Sequence, residues 1–118
     1  VPAGIPVDAV QDIIGWEELD PREFSTTHEY FALKVKGDSM YPDYWDGDIV
    51  VCESANDAES GKDVVAYVNG YDATLKQLIK RDDGSIELRS KNSLYPPQVF
   101  NNENVYVLGF VRELRRRR

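Results

Sequence analysis

One cysteine, one histidine and one methionine occur in the 118 residues, and each scarcity removes a class of chemistry. A lone Cys52 forms no internal disulfide, which agrees with a reducing compartment. It sits in the apolar run Asp48-Ile49-Val50-Val51-Cys52-Glu53, where a buried inert thiol is the simplest reading. His28, in Thr26-Thr27-His28-Glu29, reads as a solvated loop residue ahead of a strand. Without a Cys/His cluster or calcium-loop spacing, no metal site is expected, and no cofactor is implied. No apolar run approaches the ~20 residues of a membrane span, and no signal-peptide pattern opens the chain. A cytoplasmic protein with no membrane partner is the expectation. The chain is also poor in positive charge: the net charge is −7, and the last seven residues hold five Arg against one Glu, leaving −11 on residues 1–111. Such a surface repels a phosphate backbone, so nucleic-acid binding is not expected of these residues.

What the chain does contain is serine and lysine in informative places. In Tyr30-Phe31-Ala32-Leu33-Lys34-Val35-Lys36 the larger apolar side chains alternate, the period-two pattern of a half-buried strand. Gly37 ends it, which puts Ser39 of Lys36-Gly37-Asp38-Ser39-Met40 on a turn. There the backbone amides of Asp38 and Ser39 are candidates for stabilising an oxyanion. A serine hydroxyl needs a base to become a nucleophile, and with His28 and Cys52 set aside the candidate is a lysine. Lys76 lies in Ala73-Thr74-Leu75-Lys76-Gln77-Leu78, a second strand-like run in which it shares a face with Thr74 and Leu78. Partial burial there disfavours the ammonium form, as a general base requires. Near the start, Ala3-Gly4 is a small-residue junction of the kind a narrow protease cleft accepts, so the chain is a candidate substrate of itself.

Turn signals at Asp46-Gly47, Asn69-Gly70, Asp83-Gly84 and Asn101-Asn102 separate strands predicted near residues 30–36, 47–53, 62–69, 73–80, 84–90 and 104–113. Residues 12–19 read as an extended segment that stops at Asp20-Pro21. The fold class is therefore mostly β, a single compact domain of antiparallel and mixed sheets with little helix.

These blocks, in this order, resemble the LexA-type self-cleaving proteins: bacterial SOS repressors, lambda-type phage repressors and UmuD-like polymerase subunits. Ala3-Gly4 is similar to the family's cleavage dipeptide, Lys36 to Met40 to its nucleophile motif, and Trp45-Asp46-Gly47-Asp48-Ile49-Val50 to the turn and strand that follow. Thr74 to Leu78 resembles the strand bearing the lysine base, Leu88 to Pro97 the asparagine-containing segment, and Val107 to Val111 the closing strand. The resemblance implies a LexA/signal-peptidase-like β fold, with residues 1–7 as cleavage segment and residues 8–118 as a Ser/Lys peptidase and dimerisation domain. It implies Ser39 as nucleophile, Lys76 as general base and the Asp38 amide as oxyanion donor. It further implies a homodimer, stimulation by a RecA nucleoprotein filament in the DNA-damage response, and operator DNA bound only through an N-terminal domain. The absence of an initiator Met leads to the expectation that this domain has been removed. Two other readings share the motifs: a UmuD-like translesion polymerase subunit, and a dimerisation module with a silent Ser/Lys pair. Two features depart from the family pattern. Gln98 stands where an aliphatic residue is more usual, and the basic run Arg115 to Arg118 reads as a solvated tail.

Overall fold

Apolar residues in β-rich stretches of this chain often occupy consecutive positions, as in Ile49-Val50-Val51-Cys52 and Val64-Val65-Ala66, and such strands must bury both faces. A computed structural model describes residues 13–17, 29–69 and 72–117. Its strands are β1 (Ile13–Glu17), β2 (Tyr30–Val35), β3 (Ile49–Ser54), β4 (Asp63–Val68), β5 (Asp72–Lys80), β6 (Ile86–Arg89), β7 (Gln98–Phe100) and β8 (Val105–Arg115). They form one sheet in the order β1-β2-β3-β8-β4-β5-β6-β7, with antiparallel pairing between neighbours. The helical content of the described residues is a single 3-10 turn, Asn102–Asn104. The mostly β expectation holds.

The closing strand β8 inserts between β3 and β4 and so joins two hairpin-like halves. One cluster gathers Phe31, Leu33, Val35, Met40, Tyr44, Val50, Cys52, Val65 and Leu75; the other gathers Val64, Ala66, Leu78, Ile86, Leu88 and Val107. Adjacent residues of β4 serve different clusters, which explains its unbroken apolar run. Each fully buried side chain of this size contributes about 1.5–3 kcal/mol relative to exposure. Where β8 passes β3 at Ser54↔Gly109, a side chain would not fit: a Cβ on Gly109 would meet the Glu53 carbonyl oxygen and the Phe31 ring, at 2.7 Å from Cε1.

Several strand boundaries differ from expectation for local reasons. β3 starts at Ile49 because Asp48 N–H closes a turn on the Trp45 carbonyl at 2.9 Å. β6 starts at Ile86 because Gly84 N–H does the same on Arg81 at 3.0 Å. β8 runs on to Arg115, paired with Ile49, so the basic run is part strand rather than a free tail. The extended segment expected at 12–19 contains β1, which pairs with β2. β7 had no counterpart in the sequence reading: Pro96 and Pro97 mask a short edge strand on which Gln98 is exposed and pairs with Leu88. A polar residue suits that position. Among the described residues no helix is long and apolar enough to cross a membrane.

Candidate active site

Ser39 lies in the turn that follows β2. Gly37 adopts φ +79°, a conformation other residues rarely take, and its N–H donates to Asp46 Oδ1 at 2.7 Å. Tyr41 N–H donates to the Asp38 carbonyl at 3.1 Å and Tyr44 N–H to that of Met40 at 2.9 Å. The Met40 side chain, only 1% exposed, plugs the turn into the first core cluster, so the nucleophile candidate is held on a packed support. Ser39 is itself largely covered, at 7% exposed.

Lys76 comes from the middle of β5. Its ammonium nitrogen Nζ lies 3.4 Å from Ser39 Oγ, 3.1 Å from Thr74 Oγ1 and 3.2 Å from the Leu75 carbonyl oxygen. The sheet brings together two residues 37 positions apart. Thr74, buried two residues before Lys76 on the same strand, joins the site although the sequence marks it only by the face it shares with Lys76. Its hydroxyl helps to hold the lysine head group beside Ser39.

A nucleophile candidate next to a strand-borne lysine invites comparison with known proteins. A family model described as Peptidase S24-like matches residues 1–112. The chain belongs to this family. The S24 chain is also 34% identical over 110 residues to the LexA repressor of Ruegeria sp. (strain TM1040), a stretch covering 92% of this chain and 45% of that protein. It thus spans about half the length of that relative. It is a LexA-type S24 domain, of the serine peptidase kind.

In this S24 domain the segment after β6 adds a third group to the site. Asn92 N–H donates to the Ser39 carbonyl at 3.1 Å, and Asn92 Nδ2 donates to the Asp38 carbonyl at 3.0 Å. The Tyr95 hydroxyl donates to Asp38 Oδ1 at 2.6 Å. Lys91 reaches Asp63 Oδ1 at 3.1 Å and Asp43 at 3.6 Å, while the Tyr44 hydroxyl donates to Asp63 Oδ2 at 2.6 Å. Burial and the Asp63 carboxylate push the Tyr44 phenol well above its ordinary range.

On the other side of the turn stands Asp48, 2% exposed, whose carboxylate accepts Trp45 N–H at 2.7 Å and two bonds from Arg116 at 2.8 Å each. Burial raises such a carboxyl, but the guanidinium and the amide outweigh it and hold Asp48 below its ordinary value. Arg116 also lies 3.8 Å over the Trp45 ring. The solvated-tail reading of the basic run therefore fails at Arg116 as well, because a buried carboxylate and an aromatic face capture it. Cys52 is buried as expected, its thiol pushed up to about 12 by burial. Ala3, Gly4 and His28 lie outside the described residues.

Proposed function

We propose that this domain is the self-cleaving, dimerising half of a LexA-like repressor, with residues 1–7 as the segment that is cut and residues 8–118 as the part that cuts. The observation that carries the reading is the 3.4 Å approach of Lys76 Nζ to Ser39 Oγ. An uncharged Lys76 takes the hydroxyl proton while Ser39 Oγ bonds to the Ala3 carbonyl carbon. The carbonyl oxygen becomes an oxyanion, stabilised by the amides of Asp38 and Ser39. Its collapse breaks the Ala3-Gly4 bond; the Lys76 ammonium returns the proton to the Gly4 amine, and water then releases the acyl group from Ser39. Ala3 and Gly4 suit this because a backbone folded into its own cleft tolerates little side-chain bulk.

In the cell, a RecA filament that binds the cleavage-ready state better than the resting state accelerates the cut by shifting that population. Cleavage separates the dimerising half from an N-terminal operator-binding half, so avidity on a two-half-site operator is lost. The strongly acidic surface is consistent with leaving DNA to that other half. The protein acts in the cytoplasm, as a homodimer. Likeness to a LexA repressor favours this reading over a polymerase subunit or a silent dimerisation module.

The test is to incubate the purified chain at alkaline pH and follow its mass. Loss of Val1 to Ala3 from the wild type, and none from a folded Ser39→Ala variant, is the expected result. Persistent cutting at Ala3-Gly4 without the Ser39 hydroxyl removes it as nucleophile.

A further inference from the structure

The segment after β6 takes no part in the proton transfers proposed above, yet it grips the nucleophile turn at its backbone. Asn92 Oδ1 accepts the Leu94 N–H at 3.0 Å. A backbone N–H only donates, so this contact decides which end of the side-chain amide is oxygen and places Nδ2 on the Asp38 carbonyl, 3.0 Å away. That carbonyl also accepts Tyr41 N–H at 3.1 Å. Two donors thus hold one oxygen. A trans peptide unit is planar and carries its C=O and N–H on opposite sides, so pinning the Asp38 oxygen fixes the direction of the Ser39 N–H in the same plane. The Asn92 N–H, 3.1 Å from the Ser39 oxygen, fixes the next plane in the same way.

We propose that Asn92 is a positioning residue of this peptidase: through the Asp38 carbonyl it aims the Ser39 N–H at the oxyanion formed on the scissile carbonyl. The inference rests on the function proposed above. An oxyanion donor is effective because it is oriented before charge develops, at 2.7–3.1 Å from where the oxygen will sit. A peptide plane free to rotate loses that advantage. Tyr95 supports the same end. Aspartate side chains readily bond the backbone N–H groups just after them, and the 2.6 Å bond from Tyr95 engages the Asp38 carboxylate instead.

The test uses the full chain and two variants. Asn92→Asp keeps the acceptor for Leu94 N–H but loses the donor; Asn92→Ala is neutral and loses both. First-order self-cleavage is measured from pH 7 to 10, folding by thermal melting, and the Ser39 amide by its ¹H–¹⁵N resonance. Both variants are expected to stay folded, to shift the Ser39 resonance and to cleave at least about tenfold more slowly, short of the ~10²–10³ lost with an oxyanion donor itself. For Asn92→Ala the midpoint of the pH profile stays where it is in the wild type. Wild-type rates in either folded variant overturn the proposal, as does a displaced midpoint in Asn92→Ala, which places the effect on the lysine instead. If both variants fail to fold, Asn92 serves the fold and not the chemistry, and the proposal falls. If the wild type itself does not cleave but the Ser39 resonance moves in the variants, the peptidase reading fails while the positioning of the peptide plane stands.

Discussion

Arg116 and Asp48, 68 residues apart, are joined by two hydrogen bonds of 2.8 Å, from Nε to one carboxylate oxygen and from Nη2 to the other. Asp48 is 2% exposed, so without Arg116 its charge would be buried with the Trp45 N–H still donating to it. Arg116→Ala is expected to lower Tm by about 5 °C at neutral pH. The difference should depend on pH in a definite direction. Asp48 is held below its ordinary value in the folded protein, so its contribution is complete above the unfolded carboxylate range near ~3.9 and is lost as pH falls through the lower folded value. The gap between variant and wild type therefore narrows from about pH 5 downward. Melting curves at pH 7 and pH 3 check this; an equal gap at both would remove the ion pair as its source.

Tyr44→Phe removes the hydroxyl that donates to Asp63. A cost of about 1 kcal/mol at pH 7 is expected, softened because Lys91 still faces the carboxylate. The folded phenol is raised well above its ordinary value, so its stabilisation is fully present below about pH 10 and is lost as pH climbs beyond that. The variant should have a flatter alkaline limb than the wild type in urea unfolding between about pH 9 and 11.

Lys76→Arg separates charge from basicity. A guanidinium stays protonated, so it can occupy the site beside Ser39 and Thr74 but cannot accept the hydroxyl proton. Self-cleavage is expected to be undetectable in the folded variant under conditions where the wild type cleaves. An active Lys76→Arg protein counts against the base.

Gly109→Ala tests the crossing of β3 and β8. Its methyl group would press on the backbone oxygen of Glu53, which cannot swing aside as a side chain would. A loss of at least about 1–3 kcal/mol is expected from the denaturation midpoint. A neutral result would mean that the two strands can separate locally at no cost.

Much of the site was legible because strands obey a period of two. Phe31, Leu33 and Val35 on one strand, and Thr74 beside Lys76 on another, could be assigned to faces without knowing what lay opposite them. The edge strand Gln98–Phe100 was not legible: at three residues it is too short for alternation to register, and Pro96-Pro97 speaks for a loop. The capture of Arg116 by Asp48 was not legible either, because a run of like charge normally stays in solvent.

By itself, the sequence determined the β character of this protein, its central strands, the serine turn and the strand that carries the lysine. These follow from local forces: backbone geometry, alternation, and the freedom of Gly37. Only the tertiary structure decided that Ser39 and Lys76 stand 3.4 Å apart, that Arg116 closes on Asp48, and that Asn92 pins the Asp38 carbonyl. Those contacts join residues 37 to 68 positions apart, and their distances depend on strand order and twist. No period along the chain encodes them, because they depend on β8 lying between β3 and β4, which puts the two halves of the sheet in one frame.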